Sequence, residues 1–332
     1  MEPRSQYLSA SRIKTLRDCP MKFYISYCAP ERIEMPNSWG AANGTILHEI
    51  FEEYASGSRR DWKQNLLDKF RAAMYDPNII DSVFKFAKGV KTTLADEIVK
   101  SRRSCGKCPF ANIMSDGSTV FCKAMGKTTT EFVGSPKKMI SDTVKLAKVI
   151  FDNDFNPIDD LKVIGVEHKF EVTFENGVST LGFIDLISEI DEETIEIRDY
   201  KSAKRVPSDK DIDEGWINRD VQMQLYYAVA KYCCDHNIPP FSNKYKNILV
   251  TIHFLRKTPI TMVYTSSDYS RILRMLKKAY NDIRAAENPL PEGMWGRNHY
   301  WICNYCNKDE CNKACLELHG KTREELASEH SD

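Results

Sequence analysis

Asp185, Asp199 and Lys201 lie in a stretch, residues 181–201, that reads as two strands joined by the acidic turn Asp191-Glu192-Glu193. If that hairpin is centred on Glu192 without a bulge, Asp185 and Asp199 stand directly opposite each other, because their numbers sum to twice 192. The two-residue period of a strand then puts Leu181, Phe183 and Ile187 on their face, with Ile195, Ile197 and Lys201 from the second strand. Like charges across a ladder destabilise it, and unpaired carboxylates among apolar side chains are costly. A divalent cation between the two acids removes both penalties, so the hairpin is expected to be a metal site. Other acid-x-Lys triplets, Asp61/Lys63, Asp160/Lys162 and Glu167/Lys169, lack a second acid placed opposite on an apolar face. They read as solvated pairs or strand charges.

Further polar residues stand near elements that could bring them to this hairpin. His48 sits at the edge of a helical stripe formed by Leu47, Ile50, Phe51 and Tyr54, either as a packed histidine or as a metal ligand. Gln222 and Tyr226 are four apart on one helical face, as a surface amide and core tyrosine or as a pair reaching a ligand. Glu167, on the strand before the hairpin, is a surface glutamate or an additional acid of the site. The cysteines fall in two groups: Cys303, Cys306, Cys311 and Cys315 in the tail, and Cys105, Cys108 and Cys122 in a stretch rich in Gly, Ser and Thr. Cys28, Cys233 and Cys234 fall on helical patterns and are expected as small buried hydrophobes.

The elements that must position these groups follow from periodicity and punctuation. Ser9 or Ser11 can cap a short helix that ends at Cys19-Pro20, and a second helix carries Phe23, Tyr24 and Tyr27. A loop over 30–43 precedes a helix from Gly44 to Tyr54. Residues 61–103 look mostly helical, another helix is expected over 136–153, and 161–201 give three strands. A charged loop (203–217), a helix from Asp220, strands at 245–256 and 259–265 and a helix at 268–287 complete the pattern. Four regions result: N-terminal helices with Cys19 and His48 (1–60), a helical insertion with the cysteine knuckle (61–155), the core (156–290) and a cysteine-rich tail (291–332).

Composition narrows the class. Of 332 residues, 42% are hydrophobic and 28% charged, ordinary for a globular chain. Lys+Arg and Asp+Glu both number 47, so any polyanion must be met by a local groove rather than by net charge. No apolar run reaches membrane-spanning length and no signal-peptide pattern opens the chain, so a cytoplasmic protein without membrane contacts is expected. In that reducing compartment the 11 cysteines suit metal ligation or free thiols better than disulfides.

The order Gly44-x3-His48, Gly182-Phe-Ile-Asp185, Asp199-Tyr-Lys201 and Gln222-x3-Tyr226 resembles the PD-(D/E)XK nuclease superfamily. More narrowly it resembles the branch holding the nuclease domains of RecB and AddB and the Cas4-like exonucleases. The opening Ser-x-Ser and the Asp-Cys19-Pro-x-Lys-Phe-Tyr segment match that branch too, although the proline of the family name is absent before Asp185. The resemblance implies an α/β fold, a mixed central β-sheet flanked by helices (a restriction-endonuclease-like core), with a helical, cysteine-bearing lobe. It implies Mg²⁺ or Mn²⁺ on His48, Asp185, Asp199 and the Tyr200 carbonyl. Lys201 would orient water or balance charge, and Gln222 and Tyr226 would hold the scissile strand. Glu167 would be a secondary acid. It also implies a [4Fe–4S] cluster on Cys19, Cys303, Cys306 and Cys311, with Cys315 competing for the last place. The remaining Cys105, Cys108, Cys122 and Cys315 would then suit a zinc site.

The activity expected is metal-dependent hydrolysis of DNA phosphodiesters by an exonuclease acting on single-stranded ends, in recombination, repair or replication. Two alternatives belong to other classes. One is a nuclease subunit of a larger helicase–nuclease or CRISPR-adaptation complex; no G-x4-G-K-[ST] motif occurs here, so a motor would be another chain. The other is a non-catalytic DNA-end binder, which the intact acid pair and lysine argue against.

Overall fold

The computed structural model describes residues 7–28, 39–57, 61–75, 111–113, 120–122, 127–128, 136–151, 161–203, 206–215, 219–256 and 259–286, and a few positions beyond 311. Cys105, Cys108, Cys303, Cys306, Cys311 and Cys315 lie outside the described residues, as does most of the expected helix over 61–103 beyond Tyr75.

Helix α1 (Ala10–Asp18) starts at Ser9, whose hydroxyl accepts from the Arg12 N–H, and stops at Cys19 ahead of Pro20. A proline at the first helical position opens α2 (Pro20–Phe23), which runs into a π-helical turn, Tyr24–Cys28. Helix α3 (Trp39–Ala55) begins before Gly44, within the expected loop; α4 (Trp62–Tyr75) follows. Three short antiparallel strands, β1 (Ala111–Ile113), β2 (Val120–Cys122) and β3 (Lys127–Thr128), occupy the expected knuckle, with Cys122 placed by its backbone on β2. Then come α5 (Pro136–Phe151), β4 (Lys162–Thr173), β5 (Ser179–Glu189) and β6 (Thr194–Lys201). The charged loop contains a single helical turn, α6 (Asp209–Asp213), held by a capping box between Ser208 and Asp211. After it run α7 (Val221–Asp235), β7 (Asn247–Phe254), β8 (Ile260–Val263) and α8 (Ser266–Ala286).

The main sheet has the order β4-β5-β6-β7-β8 and is mixed: β6 and β7 are parallel, the other neighbours antiparallel. A parallel pair needs a crossover, and α7 supplies it. Its sequence is apolar nearly all round, from Val221 to Cys234, which suits a helix wedged between sheet and further helices. Each sheet face carries its own core. On one, α1, α7 and α8 cover Phe170, Ile184, Ile187, Ile195, Ile197 and Val250; Cys233 and Cys234 are buried there. On the other, α3, α4 and α5 cover Leu186 and Tyr200. This is the α/β architecture with a mixed central sheet expected above. Among the described residues no helix is long and apolar enough to cross a membrane.

Candidate metal centre

The β5–β6 hairpin has the register of an unbulged turn on Glu192: Glu189 faces Ile195, Ile187 faces Ile197 and Leu186 faces Arg198. The ladder stops one rung short of Asp185 and Asp199. There the Tyr200 N–H donates to Asp185 Oδ2 at 2.8 Å instead of to a β5 carbonyl, so a side chain replaces the next backbone bond. Beyond the break a different segment borders β5. Leu8 pairs with Thr180, donating to the Ser179 carbonyl and accepting from the Leu181 N–H. Between Leu8 and the end of the ladder, the Phe183 carbonyl accepts from the Tyr226 hydroxyl of α7 at 2.7 Å. The centre is thus a gap in the sheet, opened where β6 leaves β5.

The same point reverses the alternation of the strands, which corrects one expectation. Val166 and Leu186 belong to the α3–α5 core, yet Phe170 and Ile184, also even-numbered, belong to the opposite one. Glu167 has φ +41°, a left-handed conformation uncommon for a residue with a side chain. That twist in β4 exchanges the faces on either side of it. Leu181 and Phe183 therefore do not join Ile187, Ile195 and Ile197 in one buried face: Leu181 is half-buried and Phe183 is 52% exposed.

His48 comes from α3, where Leu47, Ile50 and Phe51 are buried against the sheet and leave it at the rim. Gly44, one turn earlier, lets the helix pass close to the end of β6: a Cβ there would lie 3.3 Å from Ser202 Oγ. The imidazole Nε2 lies 3.0 Å from the Tyr200 carbonyl oxygen, and Nδ1 lies 3.4 Å from Asp185 Oδ2 and 3.9 Å from Glu167 Oε1. Among the described residues His48, Glu167 and Asp185 form a donor group whose ligand atoms lie within 4.8 Å of one another. Glu167 thus stands inside the group while Asp199 lies beside it.

Asp199 is 1% exposed. Its Oδ1 accepts from Lys201 Nζ at 2.9 Å and from Gln222 Nε2 at 2.7 Å. Its Oδ2 lies 2.6 Å from Lys201 Nζ, but no aligned hydrogen bond reaches it. Gln222 also donates to the Tyr226 hydroxyl at 2.8 Å, so amide and phenol point inward at Asp199 and β5. Two supports escaped the sequence reading. Asp220 caps α7 by accepting from the Gln222 and Met223 N–H groups, and Lys14 of α1 bridges Asp220 and Gln222 Oε1 at 3.3 and 3.4 Å. An aspartate just ahead of an apolar helix is the signal that would have marked the cap; no local pattern marks Lys14.

Electrostatics tie the groups together. Burial, then the Asp199 charge, raise the Asp185 carboxyl to about 7, against the pull of His48 and the Tyr200 N–H. Burial disfavours charge on His48, but the nearby carboxylate of Glu167 and the charges of Asp185 and Asp199 prevail and raise its pKa. Lys201 likewise resists desolvation through Asp199 and stays an ammonium. Excess negative potential and a His/Glu/Asp donor group are what a hard or borderline divalent cation requires. The residues fit Mg²⁺ or Mn²⁺. Cys19, buried at the end of α1, accepts the Lys22 N–H at 3.4 Å through Sγ.

The family model of the PD-(D/E)XK nuclease superfamily matches residues 7–100 and 126–311, more than half of the chain, and passes over 101–125. Among solved structures, a "Putative exonuclease" from Eubacterium rectale is similar at 12% sequence identity and a TM-score of 0.42, covering 86% of this chain and 83% of its own. No curated protein matches the chain.

Proposed function

The chain belongs to the PD-(D/E)XK nuclease superfamily, and on that premise we propose that it is a metal-dependent DNA exonuclease of the RecB/Cas4-like type, hydrolysing phosphodiesters at single-stranded ends. The observation that carries the reading is the gap in the sheet, where His48, Glu167 and Asp185 converge beside an Asp199 already held by Lys201 and Gln222. His48, Asp185, Asp199 and the Tyr200 carbonyl would hold the cation, with Glu167 as a further acid. When bound, Mg²⁺ or Mn²⁺ supplies Lewis-acid polarisation of the phosphodiester and hydroxide at neutral pH.

The chain's own groups do the rest. Lys201, kept as an ammonium by Asp199, balances charge that builds on the phosphoryl oxygens; its proton is too firmly held for general-base work. Gln222 and Tyr226 are positioning residues: one fixes the Asp199 carboxylate and the other ties β5 to α7 through the Phe183 carbonyl. Holding strand phosphates, the role expected from the resemblance, would require them to give up these bonds. Cys19 with Cys303, Cys306 and Cys311 would bind a [4Fe–4S] cluster, and Cys105, Cys108, Cys122 and Cys315 a zinc ion. Helicase or recombination partners fit the same reading.

Cleavage of end-labelled single-stranded DNA with Mn²⁺ or Mg²⁺ tests the activity. Asp199→Ala and Lys201→Ala are each expected to lose about 100-fold or more; wild-type rates in both variants would overturn the assignment. Anaerobically purified protein should be brown with bound iron, whereas colourless protein carrying zinc would replace the cluster by an all-zinc arrangement. The chain has no net charge, so DNA affinity should fall steeply with salt through a local groove.

A further inference from the structure

Phe183 is out of keeping with its strand. Ile184 beside it is fully buried, yet Phe183 keeps 52% of its surface in water. Its backbone is held on both sides. The carbonyl accepts from Tyr226, and the preceding Gly182 packs so closely on Phe170 that an added Cβ would fall 2.5 Å from the ring. An aromatic ring is therefore presented to solvent from an anchored strand, two residues or about 7 Å from Asp185.

One exposed cation stands across the ladder from this ring. Phe183 is paired across the ladder with Lys169, whose side chain is 60% exposed and meets Glu171 only at 4.0 Å. Glu171 also accepts from the Tyr7 hydroxyl at 2.7 Å. Successive odd-numbered rungs of β4 and β5 thus carry first the acids of the metal centre, then a ring and an ammonium. Among the described residues the other large exposed hydrophobics, Ile190, Ile238, Val263 and Leu316, are aliphatic and offer no π-face.

We propose that Phe183 is a stacking platform for a nucleobase of the strand end whose phosphate enters the metal centre, with Lys169 meeting an adjoining phosphate. The proposal rests on the nuclease reading above and adds a base-binding subsite to it. Every base has a π-face, so a single ring holds any sequence, as an enzyme working inward from an end requires.

A single-stranded oligonucleotide with 2-aminopurine at its terminal position, bound in Ca²⁺ to withhold cleavage, reads the stacking directly. Wild type should quench the fluorophore. Phe183→Ala should abolish the quench and weaken binding roughly 5- to 100-fold, Phe183→Trp should retain both, and Phe183→Leu should behave like the alanine variant. An oligonucleotide abasic at that position should bind wild type and Phe183→Ala equally. Unchanged quenching in Phe183→Ala, or continued discrimination on the abasic strand, would overturn the platform and leave the nuclease reading standing. Failure of wild type to bind any single strand would remove both.

Discussion

At the scale of single residues the centre depends on acids kept close by contacts that oppose their repulsion. Asp199 is neutralised by Lys201 and oriented by Gln222, whereas Asp185 relies on the Tyr200 N–H and on His48. Glu167 is met only by His48 Nδ1, at 3.9 Å, among the ion pairs of the described residues, and holds a left-handed backbone as well. Asparagine tolerates that conformation and carries no charge, so Glu167→Asn in metal-free buffer should be as stable as wild type, or up to about 1 kcal/mol more stable. Its Mn²⁺ affinity should fall roughly 10-fold or more. Urea unfolding in chelator and titration calorimetry with Mn²⁺ check the two halves; a clear loss of metal-free stability would contradict the strain argument. On sequence alone Glu167/Lys169 is set aside for want of an acid opposite, yet the β4–β5 register, with Val166 facing Leu186 and His168 facing Ile184, brings Glu167 across from Asp185. Glu167's place was not legible in the sequence, because it depends on a φ angle that no residue type reveals.

At the scale of elements the gap in the sheet is set by packing. β5 is gripped by Leu8, by β6 and by the Tyr226 hydroxyl in turn, and Gly182 lets Phe170 lie against it. Phe170 is itself 3% exposed and cannot swing away from a new methyl group. Gly182→Ala should therefore destabilise the fold by about 1–3 kcal/mol, and Phe170→Leu in the same chain should recover part of that loss. Equilibrium urea unfolding of the single and double variants measures both; an alanine variant as stable as wild type would show that the strand shifts freely. The turn at 190–193 and the register it imposes are local and were readable from alternation and acidic residues. The reversal of faces at Glu167 was not: it moves Phe183 from an expected core position into solvent.

At the scale of the whole molecule, a polar layer lies within the sheet behind the centre. The Glu196–Arg198 ion pair, at 2.7 Å, is buried, and Thr251 donates to Glu196 at 2.6 Å. Beside them His253 is 1% exposed, its ring 5.7 Å from that of Tyr200, with no hydrogen bond to either nitrogen among the described residues. Burial, then the Arg198 charge, lower its pKa from 6.5 to about 4. Between those values the unfolded chain binds the proton and the folded chain does not, so stability falls as pH drops through this window. Near pH 5 the contribution is about 2 kcal/mol. His253→Phe, which keeps an aromatic ring beside Tyr200, should lose about that much less stability than wild type between neutral pH and pH 5. Denaturation midpoints at the two pH values check this, and parallel losses would assign the acid lability to other groups.

The amino-acid sequence by itself determined the order of the helices and strands around the central sheet and the register of the β5–β6 hairpin. These are consequences of side-chain period, caps and turns within a few residues of chain. Tertiary structure alone decided that the ladder breaks before the acids meet, that His48 reaches the Tyr200 carbonyl, and that Gln222 and Tyr226 turn inward. Each of those joins segments far apart in the chain, whose meeting depends on how two cores close on opposite faces of one sheet.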